Sequence, residues 1–173
     1  MPTTIPPSGT PVHDQAMEWV RAHATDEPVT VLDLGGRDNN GSPRALFPAA
    51  TYRVLDMVDG PDVDIVADAA TWVPDREYDV VVSTELFEHT SAWPAICWTA
   101  RAALRTGGRF IATMAGPGRP AHGAWGGPVP GPGEYYANVD PDELRDVLAG
   151  VGFEEITVDV QTDPADVRVV ATR

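Results

Sequence analysis

Apolar positions along this chain change their period several times, and the changes outline alternating helices and strands. Val12, Ala16, Trp19, Val20 and Ala24 recur at helical spacing and predict a helix over 12–24. Asp26-Glu27-Pro28 ends it and leads into a short apolar strand over 29–34, the unbroken kind that suits a parallel sheet covered on both faces. Strands follow over 51–55 and 63–67, then over 78–83, where Tyr78-Asp79-Val80-Val81-Val82-Ser83 is the clearest buried run in the chain. Pro94 opens a helix over 95–104 with Ile96, Ala100 and Leu104 on one face, and Gly107-Gly108 reads as its exit. The next strand spans 109–114. Asp140-Pro141-Asp142-Glu143 supplies an N-cap, a proline at the first helical position and an acid at the third, so a helix runs from there to 149 and stops at Gly150. Two closing strands, 155–160 and 166–171, flank a Thr162-Asp163-Pro164 turn and read as an antiparallel pair at a sheet edge.

The connections are uneven. Asn39-Asn40-Gly41-Ser42 is a cluster of turn residues, and Ser42-Pro43 starts a short helix that Pro48 stops. Only Asp59-Gly60-Pro61-Asp62 separates the second and third strands. A crossover helix needs roughly a dozen residues, so these strands are joined irregularly or pair in some other way. Residues 72–77 form a polar connection, and over 115–134 Gly and Pro fill twelve of twenty positions. So long a loop in a compact domain is functional or mobile. Seven strands alternating with helices predict an α/β fold: a doubly wound, mostly parallel seven-stranded sheet with a C-terminal antiparallel hairpin. Residues 1–11 read as a flexible arm and 12–173 as a single domain.

Composition narrows the class. At 173 residues and 43% hydrophobic content the chain can build one sizeable core but not two. A net charge of −14 argues against an extended nucleic-acid surface or an anionic membrane surface as partner. Cys97 stands alone, so no internal disulfide or cysteine-based zinc site forms, in keeping with a reducing compartment. No apolar run approaches the roughly 18 residues of a membrane span, and 1–7 lack the basic and apolar regions of a signal peptide. The expectation is a cytoplasmic protein, monomeric or homodimeric, acting on a small molecule.

Candidate chemistry gathers at strand ends. Thr30-Val31-Leu32-Asp33-Leu34 runs into Gly35-Gly36, where the backbone turns sharply and can approach a ligand. Alone, this reads equally as a tight turn. The next strands end in Asp56 and Asp68, and a fourth in Ser83-Thr84-Glu85. Parallel strands bring such ends to one edge, where ligands of open α/β sheets bind. Asp56 lies about twenty residues past the glycine turn, the place of the acid that holds ribose hydroxyls in dinucleotide folds. The competing reading is that these aspartates only cap and build turns.

Taken together, Val31-Leu32-Asp33-Leu34-Gly35-Gly36, Val54-Leu55-Asp56, Val66-Ala67-Asp68-Ala69 and the run from Tyr78 through Glu88-His89 resemble the successive motifs of class I S-adenosylmethionine-dependent methyltransferases. Leu104 through Ile111 and Asp142 through Phe153 resemble the family's later elements, so the resemblance spans about 12–173. It implies a Rossmann-like methyltransferase fold, with S-adenosylmethionine as cofactor and an O, N or C nucleophile as acceptor. By the same resemblance, Gly35 and Gly36 lie under the methionine portion, with Asp33 anchoring the loop or the amino group. Asp56 takes the ribose hydroxyls, Met57 packs on adenine, and Asp68 and Ala69 take the adenine edge. Ser83, Thr84 and Glu85 border the methionine end and the substrate. Arg37-Asp38 departs from the usual glycine-rich loop; Arg37 either meets the cofactor carboxylate or closes an ion pair within the loop. Two other classes remain: a nicotinamide-dependent oxidoreductase, for which Gly-x-Gly-x-x-Gly and a second domain are missing, and a non-catalytic binding module with a degenerate fold.

His89 is the candidate general base if the reaction needs one, with Glu85 beside it. A structural role for His89 is the alternative, since methyl transfer to a good nucleophile needs alignment above all. His122, Trp125, Tyr135 and Tyr136 flank the Gly/Pro-rich loop and read as a lid or as ordinary packing beneath it. Trp93 and Trp98 read as core. The four histidines show no metal-ligand spacing, and neither a nucleophile elbow nor a phosphate loop occurs.

Overall fold

A computed structural model describes residues 12–39 and 41–173; the arm expected over 1–11 lies outside the described residues. In chain order the elements are α1 (Val12–His23), β1 (Thr30–Leu34), β2 (Thr51–Asp56), β3 (Ile65–Val66), β4 (Tyr78–Thr84), α2 (Trp93–Ala103), β5 (Leu104–Ala115), α3 (Pro141–Val151), β6 (Glu154–Val160) and β7 (Asp166–Thr172). Single 3-10 turns lie at Pro43–Leu46 and Phe87–His89. One seven-stranded sheet runs in the order β3-β2-β1-β4-β5-β7-β6. From β1 the chain winds outward through β2 and β3, then returns to lay β4 on the other side of β1. That reversal is a topological switch point, and it leaves a crevice at the carboxyl edge.

Both sheet faces are covered, which is why the strands read as unbroken apolar runs. Successive side chains alternate between faces. Val31, Val80, Val82 and Ile111 pack with Val20 of α1 and Phe47. Leu32, Leu34, Val81, Phe110 and Ala112 pack with Ile96 and Ala100 of α2 and Leu144 and Leu148 of α3. Each fully buried Leu or Val here contributes about 1.5–3 kcal/mol relative to exposure.

Several expectations are corrected. The third strand shrinks to Ile65–Val66, which pairs in parallel with Leu55 and Asp56. The second and third strands are therefore adjacent, joined by a helix-free loop. The helix expected over 95–104 runs from Trp93 to Ala103, because Leu104 has already joined the sheet opposite Tyr78. Gly107-Gly108 is then no helix exit but part of a bulge in β5 that interrupts the register with β4. A Cβ at Gly108 would fall 2.8 Å from the Arg105 carbonyl oxygen. Helix α3 does not stop at Gly150; it continues to Val151 and ends at Gly152, whose φ of 97° is left-handed and whose N–H donates to the Leu148 and Ala149 carbonyls. In the hairpin only β6 is an edge, since β7 inserts antiparallel between β5 and β6. Trp93 is buried as expected, at 7% exposure, but Trp98 is 58% exposed and lies outside the core.

Candidate active site

The turn after β1 is built against β2. Gly35 N–H donates to the Leu55 carbonyl at 2.8 Å, and Gly35 takes a φ of 71° that side-chain-bearing residues rarely adopt. A Cβ at Gly35 would also meet Leu86 at 2.8 Å. At Gly36 the demand is for space: a Cβ there would fall 2.2 Å from Asp33 Cγ. Both glycines are thus required by backbone shape and close approach.

Beyond this turn, a cavity of about 700 Å³ opens along the carboxyl edge of β1, β2 and β4. It is lined by Gly35, Gly36 and Arg37 after β1, Asp56 and Met57 at and after the end of β2, Asp68 and Ala69 after β3, and Thr84, Glu85 and His89 at and after the end of β4. Asp33 and Ser83 do not reach it. Ser83 Oγ donates to the Leu34 carbonyl at 3.0 Å, tying β4 to β1. Asp33 is wholly buried on the α1 face; its Oδ2 accepts from the Tyr52 hydroxyl at 2.7 Å, while its Oδ1 has no partner. Burial pushes the Asp33 carboxyl up to about 7, against the smaller opposing effect of the Tyr52 hydrogen bond. The Tyr52 phenol is pushed up in turn, by burial first and then by the Asp33 charge.

The strand-end acids are held by backbone donors. Asp56 accepts from Val58 N–H at 2.9 Å and, more loosely, from Arg37 N–H at 3.4 Å. Asp68 accepts from Ala70 N–H at 2.9 Å. Met57, next to Asp56, is 68% exposed at the cavity rim, an apolar side chain left without protein cover. Arg37 forms no ion pair among the described residues. Instead its guanidinium sits 5.1 Å from the ring centroid of Trp125, joining the glycine turn to the Gly/Pro-rich loop across the cavity mouth. His122 also lines the cavity, whereas Tyr135 does not. Tyr136 packs edge-on against both His89 and His122, at 5.6 and 4.9 Å between ring centroids.

The far end of the cavity holds a polar cluster. Glu85 leaves β4 with a φ of 53°, a strained conformation for a residue with a side chain. Its Oε1 accepts from Thr113 Oγ1 at 3.1 Å and its Oε2 from Arg119 Nη2 at 2.8 Å. The other terminal guanidinium nitrogen of Arg119 pairs with buried Asp166. Burial, then the Glu85 charge, pushes Asp166 up to about 6. Glu88 is wholly buried with neither carboxylate oxygen hydrogen-bonded, and burial raises its carboxyl well above the usual range. His122 Nε2 lies 3.8 Å from Glu88 Oε1. Burial first, and His122 second, push His89 down to about 4, so its imidazole is neutral at physiological pH.

A family model described as a methyltransferase domain matches residues 12–158. The chain belongs to that family. Solved structures share the methyltransferase fold. Burkholderia thailandensis 1,6-didemethyltoxoflavin-N1-methyltransferase, with bound 1,6-didemethyltoxoflavin and S-adenosylhomocysteine, superposes with a TM-score of 0.67 at 16% identity, over 92% of this chain and 76% of that one. An S-adenosylmethionine-dependent methyltransferase from Mesorhizobium loti gives 0.66 at 20% identity, over 92% and 99%. Haemonchus contortus phosphoethanolamine N-methyltransferase 2 in complex with S-adenosylmethionine gives 0.70 at 14% identity, over 92% and 52%. No curated protein matches the chain in sequence.

The burial of Glu88, the place of Arg119 and the meeting of His122 with His89 escape a reading of the sequence. Glu88 lies in a turn, where an acid ordinarily reads as exposed. Arg119 sits in the Gly/Pro-rich loop, which has no periodicity to assign it a direction. His122 follows His89 by 33 positions, so the spacing along the chain carries no sign of their meeting. An acid and a histidine adjacent after a buried strand, Glu88-His89, are the one local signal.

Proposed function

We propose that this methyltransferase domain binds S-adenosylmethionine along the carboxyl edge of the sheet and serves methyl transfer to a small-molecule nucleophile. The observation that carries the reading is the glycine turn, stripped of side chains by contacts with Leu86 and Asp33, lining one cavity together with acids at the ends of the next strands. The residues fit the cofactor: Asp56 for the ribose hydroxyls, exposed Met57 for the adenine face, Asp68 and the Ala69 N–H for the adenine edge, and Gly35 and Gly36 beneath the methionine portion. Asp33 and Ser83 act from below, the first by filling the space under Gly36 and the second by fixing β4 against β1. The bound cofactor supplies an electrophilic methyl group on sulfur.

What this chain adds is alignment and dryness. Thr84 and Glu85 border the acceptor end, with Glu85 held in place by Thr113 and Arg119. His89 at about 4 is too weak a base at neutral pH to drive proton removal strongly. Positioning therefore carries the rate. Arg37 and Trp125 close the mouth against water. Lone, buried Cys97 suits a cytoplasmic setting.

Titration calorimetry with S-adenosylmethionine and S-adenosylhomocysteine tests the reading. Saturable binding of both is expected, and no binding of either overturns it. Methyl transfer across a panel of O, N and C acceptors then distinguishes an enzyme from a binding module.

A further inference from the structure

We propose that Glu88, His89 and His122 form a binding site for a divalent transition-metal ion at the acceptor end of the cavity. One ligand atom from each of the three residues lies within 4.8 Å of the others. Two imidazoles and one carboxylate are a donor set for zinc and its first-row neighbours, and three protein ligands leave coordination positions open.

The strongest support is Glu88 itself. A fully buried carboxylate with both oxygens unpartnered is costly to fold around, and such groups are found paired, protonated or on a metal. Its surroundings deepen the deficit. Arg119 is already shared between Glu85 and buried Asp166, so three carboxylates cluster about one guanidinium. A dication between Glu88 and the two histidines balances that charge.

The histidines are arranged to serve. His122 Nδ1 lies 3.2 Å from the Pro120 carbonyl oxygen, a contact that fixes the proton on Nδ1 and leaves the Nε2 lone pair facing Glu88. A backbone carbonyl orienting the second ring nitrogen is the usual support of a metal-bound histidine. Tyr136 packs on both rings and limits their rotation. The Nδ1 of His89 is likewise buried without a partner. Because His89 and His122 line the cavity while Glu88 lies behind it, the open coordination positions face the acceptor. Resting on the methyl-transfer reading, the site then favours acceptors that carry a metal-coordinating donor atom, which the ion would hold and orient.

The test is titration of the metal-free full chain with cobalt(II), read by visible absorption, and with zinc(II), read by metal content after dialysis. One saturable equivalent is expected. His122→Ala and Glu88→Gln should each weaken it by at least about tenfold, while His23→Ala, on α1 and away from the cavity, leaves it unchanged. No saturable uptake, or equal uptake by His122→Ala, overturns the proposal. His122 is on a partly exposed loop, so His122→Ala stays decisive even where Glu88→Gln folds poorly. S-adenosylhomocysteine binding, measured separately on the metal-free protein, tests the methyl-transfer reading without involving the site: metal uptake without cofactor binding counts against that reading alone, and the converse against the metal alone.

Discussion

Asp33 packs directly beneath Gly36, so closely that a single methyl group on Gly36 would fall 2.2 Å from Asp33 Cγ. A buried acid at the end of β1 thus sets the path of the loop above it without reaching the cavity. Gly36→Ala should cost about 1–3 kcal/mol, as overpacking does, and weaken S-adenosylhomocysteine binding. Combined with Asp33→Ala it should cost less than the sum of the two single changes. Urea unfolding of the four proteins in the cycle measures this, and strict additivity would show that the two side chains do not meet.

The same acid gives a pH dependence. The Asp33 carboxyl holds its proton up to about pH 7, whereas in the unfolded chain it releases it near pH 4. The native state therefore binds more protons in that window, and its stability falls as pH rises from about 4 to about 7, by at most about 4 kcal/mol from this group. Asp33→Asn removes the titration. The difference in unfolding free energy between variant and wild type should move in the variant's favour between about pH 4.5 and 8, while a pH-independent difference contradicts the buried, half-unpartnered state of Asp33.

On the proposed reading Asp56 holds the ribose hydroxyls. Asp56→Ala should weaken S-adenosylhomocysteine binding more than about tenfold, the loss of a charge-assisted hydrogen-bonding group, with little change in melting temperature. Calorimetry decides, and unchanged affinity removes Asp56 from the site.

The contact between Arg37 and Trp125 lies at the protein surface, where cation–π pairs are worth about 0.5–1 kcal/mol. Trp125→Ala should weaken cofactor binding a few-fold, about twofold to fivefold, and speed proteolysis within 119–134. Limited digestion followed by mass spectrometry locates the cuts, and an unaltered digestion pattern would mean that Trp125 does not hold the loop.

Arg119 bridges Glu85 and Asp166. Arg119→Met leaves both carboxylates without their cation and should cost about 3–5 kcal/mol at pH 8. The loss should shrink at pH 5, where protonation relieves the repulsion. A small loss that is the same at both pH values would show that Arg119 is dispensable.

The sheet, the glycine turn and the acids at the strand ends are all legible in the amino-acid order. They follow from local chemistry: apolar runs such as Val80-Val81-Val82 are strands buried on both faces, and Asp140-Pro141-Asp142-Glu143 carries a complete helix start. Even so, boundaries moved where tertiary contact outweighed local preference. Leu104 left its helix for a place opposite Tyr78, and Gly152 rather than Gly150 took the left-handed cap. Which acids face the cavity is a matter of packing. Asp33 and Asp56 read alike along the chain, and alternation sends both to the same face, yet Asp33 lies within the sheet opposite Val54 and is packed against Tyr52, while Asp56 stands beyond the last β1 pairing at the cavity rim. Packing alone also joins Glu88 and His89 to His122, because an irregular Gly/Pro-rich loop carries no period from which its direction can be read. Chain spacing encodes what neighbours within one element do, and a site assembled from a strand end and a returning loop is fixed by tertiary contacts instead.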